Sequence, residues 1–497
     1  MADERARQRA EAFLEAERSA GGRLREDSGP FRILVLGDFA GRGSRPGAAA
    51  PPLESRPALR VDRDTFEAVL RRVAPEVHVT LSSNGQGAAV RVAELDDFLP
   101  GRLNERQEFF RLFREEWQRA AQLVRPGGGS PATTPPPAAS EDRPRMSSDI
   151  LEAMLDEAET LGPEGDPLAY DLNDFLKRSL RRHAAEVPKP SLDEQTRERQ
   201  IEALTHEKLR VLLHDPAFRR VEALWRALDF LLRNVPDDVA VHVHLLDLTR
   251  EELVRDLGEG GSALAARLGD AGEADARWSL AGGGYEFDAA PDDQRALEAL
   301  AAVAARARVP WVSAAAPAVV GASGFAGTAE AREWAAPDAA WERLRAGDDA
   351  RWLGLVAPRL LSRLPYGRDL ADAELPRFEE LPGGMEHESF AWANGAFAVA
   401  LILARAAAAA AEEGQPMRPE RFLDIDGVPM HVYRDREGEL ASVPPGEGLL
   451  TEHAAVRMLE RGVMPLLSFK DSPRVRLARV QSIAGPRAPL AGRWSEA

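Results

Sequence analysis

The chain has 497 residues, more than one hydrophobic core usually organises, so two or three domains are expected. Its 64 Lys and Arg residues against 81 Asp and Glu residues leave a formal net charge of −17, which argues against a nucleic-acid-binding surface because duplex binding needs a basic face. The absence of cysteine excludes disulfides, thiolate metal sites and a cysteine nucleophile.

The sequence shows neither a secretion signal nor a membrane span. The opening residues, MADERARQRAEAF, are charged, and no uncharged run of about 18 residues follows. The nearest apolar stretch, residues 391–411, contains Arg405 and is rich in alanine, which suits a buried helix better. We therefore expect a cytoplasmic protein without direct membrane insertion.

The N-terminal part predicts an extension followed by a small α/β unit. Residues 1–28 are interpreted as the extension, of which the first twenty have helical composition and end at Gly21-Gly22. The apolar run 33–36, closed by Gly37-Asp38, is typical of a buried strand that enters a turn. Asp64 is placed to cap a helix over residues 66–73. Next, the alternation of apolar residues at 77, 79 and 81 predicts a strand, and Asn84-Gly85 suits a hairpin turn.

An aromatic helix face closes this unit, which we assign to residues 29–125. Its members are Phe109, Phe110, Phe113 and Trp117. A sheet of so few strands cannot cover all four, so we predict that the unit docks through this face on the rest of the chain. Burying two or three of them contributes about 1.5–3 kcal/mol each.

Residues 126–147 change character and are interpreted as a flexible linker. Their sequence, PGGGSPATTPPPAASEDRPRMS, has almost no large apolar side chain and cannot form a packed core. The two flanking domains can therefore touch each other.

Residues 148–236 are predicted to be mainly helical. A first short helix carries an apolar stripe, and a second follows around residues 172–183. A long amphipathic segment, residues 191–232, is interrupted at Pro216. The stripe on the first helix consists of Ile150, Leu151, Met154 and Leu155.

Residues 237–497 predict a larger α/β domain. Strands are expected at 239–246, 309–313 and 353–357, and packed helices at 292–308 and 392–411. The order strand, helix, strand between the first two strands favours a parallel pair. The fold class is therefore α/β (α+β): a small α/β domain, a linker, a helical segment and a larger α/β domain.

Several motifs imitate catalytic or metal sites but lack essential parts. The turn from Gly37 to Gly43 lacks the Gly-Lys-Ser/Thr ending of a phosphate loop. His242-x-His244 has a spacing that zinc can use, yet no further ligand stands nearby, and an ordinary strand face is favoured. Asp424-x-Asp426-Gly427 imitates a calcium loop without its closing glutamate, so a turn is favoured. We expect no catalytic, cofactor or metal site.

Two sets of motifs resemble the two subunits of one contractile machine. The segment FRILVLGDFAGRGSRPGAAAPPLESRPALR, residues 31–60, resembles the small sheath subunit of type VI secretion systems, TssB (VipA), and residues 61–66 and 95–100 extend the likeness. Residues 150–482 resemble the large subunit, TssC (VipB). The motifs of this second resemblance are His214-Asp215-Pro216-Ala217-Phe218, Glu222-x-x-Trp225-Arg226, Trp352-Leu353-Gly354-Leu355, Arg363-Leu364-Pro365-Tyr366-Gly367, Phe390-Ala391-Trp392-Ala393-Asn394 and Gly462-Val463-Met464-Pro465-Leu466.

Since the two subunits are normally separate chains that pair, the resemblance implies a fused sheath protomer. In this family the sheath surrounds an inner tube, and its contraction drives the tube through a target membrane without covalent catalysis. The implied partners are other sheath subunits, a tube protein of the Hcp type and the ClpV-type disassembly ATPase. For the ATPase, the resemblance points to the helix with Ile150, Leu151, Met154 and Leu155; an ordinary packed helix explains the same stripe equally well.

The sequence departs from the large-subunit pattern at its end. In that family, further strands that link protomers follow the Met-Pro-Leu-Leu segment, whereas this chain stops soon after Gln481. We therefore expect that the protein alone does not grow long tubes. The alternative function is that of a degenerate sheath paralogue that caps, nucleates or regulates a sheath built from other subunits.

Overall fold

A computed structural model describes residues 29–495, except residues 46, 49, 81–86, 112–113, 116–193, 237–239, 270–276, 368–369, 371–374, 376, 383–386 and 435–437. Residues 29–115 are called the N-terminal region, and residues 194–495 the C-terminal region. The extension, the linker and the helix with Ile150, Leu151, Met154 and Leu155 lie outside the described residues.

Strands and helices alternate along most of the described chain. The strands are β1 (Phe31–Gly37), β2 (Leu59–Val61), β3 (Glu76–Thr80), β4 (Gly87–Arg91), β5 (Val241–Asp247), β6 (Leu280–Phe287), β7 (Trp311–Ala315), β8 (Gly327–Ala329), β9 (Leu353–Ala357), β10 (Leu360–Leu361), β11 (Trp392–Ala393), β12 (Asp424–Asp426), β13 (His431–Arg434), β14 (Leu440–Val443), β15 (Gly448–Leu450), β16 (Val463–Ser468) and β17 (Arg474–Leu477). The α-helices are α1 (Phe66–Val73), α2 (Pro100–Arg106), α3 (Glu194–Leu213), α4 (Pro216–Asn234), α5 (Arg250–Gly258), α6 (Ser262–Gly269), α7 (Pro291–Ala307), α8 (Ala339–Ala346), α9 (Ala396–Glu413) and α10 (Glu452–Glu460).

One nine-stranded sheet organises both regions. Its order is β12-β17-β16-β9-β7-β6-β1-β5-β2. The strands from β16 to β5 run parallel to their neighbours, β2 pairs antiparallel with β5, and β17 pairs antiparallel with β16 and β12. Strand β1 of the N-terminal region therefore lies inside a sheet whose other central strands come from the C-terminal region. The α/β fold class is confirmed.

Strand β1 suits this central position because its apolar side chains serve both faces of the sheet. Ile33 and Val35 belong to one hydrophobic cluster, and Leu34 and Leu36 belong to the cluster on the opposite face. All seven residues of β1 are buried. A continuous apolar run is what a parallel strand covered on both faces requires.

Helices cover the two faces of the sheet. Helices α4 and α9 contribute to the cluster that contains Val35. Helices α5, α6 and α7 contribute to the cluster that contains Leu36. The result is a three-layer arrangement with the parallel strands in the middle.

One expectation about strand pairing was wrong. The N-terminal strands β1 and β2 pair with β5 of the C-terminal region. Strands β5 and β7 are parallel members of one sheet but not a pair, since β1 and β6 lie between them. The predicted hairpin is confirmed in its strands, as β3 and β4 pair antiparallel from Glu76↔Arg91 to Thr80↔Gly87.

Helix ends follow local capping chemistry. The predicted break at Pro216 is confirmed: α3 ends at Leu213, and α4 begins at Pro216 with the Asp215 carboxylate accepting from the amides of Ala217 and Phe218. The expected cap by Asp64 was wrong. Helix α1 begins at Phe66 after Thr65, whose amide and hydroxyl both donate to Asp62.

The aromatic segment also differs from the single helix that was predicted. Helix α2 ends at Arg106, and Glu108–Phe110 form a separate 3₁₀ turn. The predicted alanine-rich packed helix is confirmed as α9, whose residues are largely buried. Among the described residues, no helix is both long and apolar enough to cross a bilayer.

Candidate functional site

The contact between the N-terminal and C-terminal regions is called the seam. It combines backbone strand pairing, aromatic packing and ion pairs. Its backbone part is the insertion of β1 between β5 and β6, with seven residue pairs on the β5 side from Phe31↔Val241 to Gly37↔Asp247. The amide and carbonyl groups of a central strand point alternately to its two neighbours, so the strand needs a hydrogen-bonding partner on each side. The two regions thus complete each other's hydrogen bonding.

An aromatic cluster fills the seam above β1. The Trp225 indole of α4 is fully buried, and its Nε1 donates to the Phe39 carbonyl oxygen at 3.0 Å. The rings of Phe39 and Phe66 meet the indole edge-on, with centroids 5.0 and 5.7 Å away. Trp225 therefore holds both the turn after β1 and helix α1 against the C-terminal region.

An ion network joins the regions at the carboxyl ends of β1 and β5. Its members, called the seam ion network, are Asp38, Arg42, Arg56, Asp247 and Glu252. Arg42 donates to both Glu252 oxygens at 2.6 and 2.8 Å and to Asp247 at 2.8 Å. Arg56 also contacts both Glu252 oxygens, at 2.7 and 2.6 Å. One carboxylate of the C-terminal region thus binds two guanidinium groups of the N-terminal region.

The charged groups of this network change one another's pKa values. Burial alone would raise the pKa of Glu252, but the hydrogen bonds from Arg56 and Arg42 outweigh it and hold that pKa well below its usual range. Burial raises the pKa of Asp38, and the nearby Asp247 carboxylate adds to the rise. Glu252 is therefore an ionised, fully engaged acceptor at neutral pH.

The turn after β1 uses its own amides, which decides against the phosphate-loop alternative. The Asp38 carboxylate accepts from the backbone amides of Arg42 and Gly43 at 2.7 and 2.8 Å. The amides that would cradle a phosphate are therefore occupied by a negatively charged group. This turn positions Arg42 toward Glu252.

A second seam contact involves the carboxyl end of α4. Arg63 donates to the carbonyl oxygens of Leu232, Arg233 and Val235 at 2.7–2.9 Å. A cation there satisfies carbonyls that have no partner within the helix. Arg63 thus stabilises the seam through backbone carbonyl groups at the end of α4.

A buried ion network connects α4 with the loop after β10 and contains residues of two sequence motifs. Arg363 donates to both oxygens of Glu222 at 2.7 and 3.2 Å and to both oxygens of Glu380 at 2.7 and 3.0 Å. Arg226 donates to Glu222 and to the Tyr366 hydroxyl, each at 2.8 Å. Two positive and two negative side chains therefore balance in the interior.

This network also reaches the N-terminal region. The Tyr366 hydroxyl lies 3.3 Å from the Phe98 carbonyl oxygen, and the Phe98 ring meets Phe218 edge-on with centroids 5.6 Å apart. Burial raises the pKa of Tyr366 well above its usual range, so the hydroxyl remains protonated. The loop that follows β10 is thereby connected to the segment before α2.

A third charged cluster surrounds Glu447. Arg359 donates to both of its oxygens at 2.5 and 3.0 Å, and the His387 ring nitrogen lies 3.0 Å from it. His387, Glu388 and Glu447 place donor atoms within 4.8 Å of one another. Because Arg359 occupies both Glu447 oxygens, the arrangement is an ion-pair cluster that joins the loop after β9 to the segment before β15.

The Glu447 cluster predicts acid sensitivity. The hydrogen bonds from His387 and Arg359 outweigh burial and lower the Glu447 pKa from 4.5 to about 2. A carboxyl with a depressed folded pKa contributes stability above its unfolded pKa and loses it as pH falls through the folded value. Between about pH 4.5 and 2, the wild type should lose roughly 2–3 kcal/mol more unfolding free energy than Glu447→Gln. Urea unfolding at several pH values measures the loss of unfolding free energy. The substitution Glu413→Gln, at an exposed position, is the control. Parallel pH profiles of the wild type and Glu447→Gln would contradict the prediction.

Of the docking and partner-binding residues predicted from the sequence, some lie within the described residues and others do not. Phe110 is buried and belongs to the hydrophobic cluster that spans both regions. Phe109 is half-buried and packs against that cluster, and the two rings meet edge-on with centroids 5.2 Å apart. Phe113 and Trp117 lie outside the described residues, as do Ile150, Leu151, Met154 and Leu155. The docking and ATPase-binding roles therefore stay predictions.

Two candidate metal motifs have ordinary structural surroundings. On β5, the rings of His242 and His244 lie 6.5 Å apart, and His244 packs edge-on against Trp278. The turn expected at Asp424-x-Asp426 was wrong, because these residues form edge strand β12. Their carboxylates face Arg476 and Arg474 directly across the strand pair.

Sequence reasoning missed Arg42, Arg56, Asp247 and Glu252 as a group. The two arginines lie about 200 positions before the two acidic residues, and no spacing rule links the two pairs. A usable signal was the pair of arginines that follows the apolar run 33–36 in a chain of acidic net charge.

Protein-family comparisons divide the chain as the seam does. Residues 195–484, more than half of the chain, match the VipB family model, described as EvpB/VC_A0108, tail sheath N-terminal domain. The chain belongs to the VipB tail sheath family. Residues 14–129 match a second model, described as type VI secretion system, VipA, VC_A0107 or Hcp2. The VipA match includes β1, Arg42 and Arg56, and the VipB match includes their partners.

A curated relative supports the same assignment. The type VI secretion system sheath protein TssC1 of Pseudomonas aeruginosa is 27% identical to this VipB-family chain over 314 residues. The alignment covers 58% of this chain and 60% of the relative, so the chain spans less than two-thirds of that protein's length. The resemblance to both sheath subunits is confirmed.

Proposed function

We propose that this chain is a structural sheath component of a type VI secretion apparatus in which one polypeptide supplies both the small- and large-subunit parts of a protomer. The observation that carries the proposal is the position of β1, a VipA-type strand, between two VipB-type strands. A strand at the centre of a sheet is an integral part of the fold rather than an attachment.

The proposed role is mechanical and needs no catalytic site. In a contractile polymer, work comes from the free-energy difference between two packings of the same subunits. Each protomer must then stay intact while its contacts with neighbours change. The shared sheet, Trp225 and the buried Arg363 network are suited to that requirement, since all three join the two regions within one chain.

The proposed partners follow from this role. Other sheath subunits would contact the protomer laterally and along the cylinder, and an Hcp-type tube protein would line its inner side. A ClpV-type ATPase would bind the segment with Ile150, Leu151, Met154 and Leu155. These assignments come from the family resemblance and remain proposals.

Sheath isolation from the native host tests the function. A tagged chromosomal copy of this chain should sediment with cylindrical particles during ultracentrifugation, and antibody labelling in electron microscopy should decorate the cylinder along its length. Decoration confined to the cylinder ends would favour the alternative role of a capping or nucleating paralogue. Recovery of the chain only from the supernatant, with intact cylinders in the pellet, would contradict both roles.

A further inference from the structure

The seam ion network has an asymmetric distribution of charge. In the ion pairs across the seam, the C-terminal region contributes the carboxylates of Asp247 and Glu252, and the N-terminal region contributes the guanidinium groups of Arg42 and Arg56, while Asp38 binds amides of its own turn. The side chains of Arg42 and Arg56 are 9% and 10% exposed, and that of Glu252 is 19% exposed. Water therefore replaces these contacts poorly when one partner is missing.

Glu252 has a structural task besides this pairing. It forms a reciprocal cap with Thr249 at the start of α5: its Oε2 accepts from the Thr249 amide at 2.9 Å, and its own amide donates to the Thr249 hydroxyl at 3.2 Å. The carboxylate is thus held in one place by its own helix. A rigid acceptor discriminates between donors better than a mobile one, because it cannot follow a misplaced cation.

The seam contacts that involve the backbone discriminate little between sequences. Backbone pairing of β1 with β5 and β6 is available to any extended segment, and its apolar side chains are interchangeable with other apolar side chains. Arg63 bonds only to main-chain carbonyls in its contacts with the end of α4. Specific recognition at the seam must therefore come from side chains with defined positions, and the seam ion network supplies the charged ones.

We propose that Glu252 determines which small-subunit-type segment pairs with this large-subunit-type region. The segment that pairs is one whose apolar strand is followed by two suitably placed arginines. This inference rests on the proposed function, because it assumes that other small-subunit-type segments compete for the same place. A segment with one or no arginine leaves the Glu252 carboxylate enclosed without sufficient countercharge. Arg42 and Arg56 are therefore the specificity-determining residues of the seam.

A competition between two full-length chains tests the selection. Each chain carries a protease site within residues 126–147, and the two cleaved proteins are mixed, unfolded in urea and refolded together so that the N-terminal regions can compete. One chain is wild type with a tag at its C-terminal region, and the other combines Arg42→Glu and Arg56→Glu with Asp247→Arg and Glu252→Arg, because Arg42 also pairs with Asp247. Intact-mass spectrometry then measures which N-terminal regions remain bound to the tagged C-terminal region. Two wild-type chains distinguished by a small mass label supply the reference ratio.

Relative to that reference, the matched N-terminal region should be enriched at least tenfold, and moving the tag to the charge-exchanged chain should reverse the preference. A chain with Arg91→Gln, which changes a 78% exposed arginine paired with Glu76 of the same region, should match the reference. Equal recovery of both N-terminal regions would overturn the proposal. Selection is measured without a sheath, so its failure and failure of sheath incorporation are distinguishable.

Milder variants of the intact chain give a second test. Arg42→Gln and Glu252→Gln should be non-additive in urea unfolding, with a coupling of at least tenfold in the unfolding equilibrium constant. Arg63→Gln and Glu252→Gln should be additive, because their side chains have no shared partner in the seam ion network. Additivity of the first pair would also overturn the proposal.

Discussion

Replacing Arg363 by methionine is expected to lower the free energy of unfolding by about 3–5 kcal/mol. The Arg363 side chain is 5% exposed, and its partners Glu222 and Glu380 are almost completely enclosed. The substitution would leave two buried carboxylates with only Arg226 in the network to compensate them. Urea unfolding at neutral pH measures the loss.

Two control variants separate charge from general packing effects. Arg363→Lys keeps the charge but cannot donate to both carboxylates in the same bidentate way, so it should give an intermediate loss. Arg233→Met removes an ion pair with Asp229 at a position 68% exposed and should cost less than about 1 kcal/mol. A loss for Arg363→Met no larger than that for Arg233→Met would contradict the importance of the buried network.

The second large effect is expected for Trp225→Ala, with a loss of about 3–5 kcal/mol. The indole is fully enclosed, packs against Phe39 and Phe66, and holds the Phe39 carbonyl. Truncation leaves a cavity at the seam and an unsatisfied carbonyl. Chemical unfolding gives the size of the loss, and hydrogen exchange of residues 39–73 shows where it falls.

A more conservative variant separates the hydrogen bond from the packing. Trp225→Phe retains most of the apolar volume and should cost about 1–3 kcal/mol, because the Phe39 carbonyl loses its buried donor. In both variants, exchange should accelerate more in the turn after β1 and in α1 than in β9. Uniform acceleration over all strands would show that Trp225 stabilises the whole core without a particular role at the seam.

Much of the local structure could be predicted because the apolar patterns are strong. Strands β1, β5 and β9, helix α7 and the break before α4 all agree with residue patterns of the appropriate period. The motifs containing Trp225 and Arg363 correctly indicated the sheath family, although their physical roles were not visible. Short-range spacing identifies an element but does not say which strand becomes its neighbour.

Strand β6 shows why the strand order could not be predicted. Its sequence, LAGGGYEF, lacks β-branched residues and has three consecutive glycines, so propensity argues against a strand. The structure needs this composition. Gly282 has a φ of 135°, and a Cβ atom there would lie 1.9 Å from the Val312 carbonyl oxygen. Close approach of β7 therefore requires a residue that weakens the strand signal.

Long-range charge pairing was equally inaccessible to sequence reasoning. Arg363 meets Glu222 across 141 positions, and Arg42 meets Glu252 across 210. In a chain with 81 acidic residues, no local pattern selects these carboxylates. The start of α1 shows the same limit over a shorter range: Asp64 was expected to cap the helix, but Asp62 is the carboxylate that binds Thr65, the residue before α1.

Hydrogen exchange of the intact chain tests the shared sheet most directly. If β1 is a central strand of both regions, its amides at residues 31–37 should exchange only upon global unfolding, as slowly as those of β5 and β7. Denaturant should affect the exchange of all three strands equally. Exchange of β1 about a hundredfold faster than that of β7, with little dependence on denaturant, would show that the N-terminal region opens independently and would contradict a single structural unit.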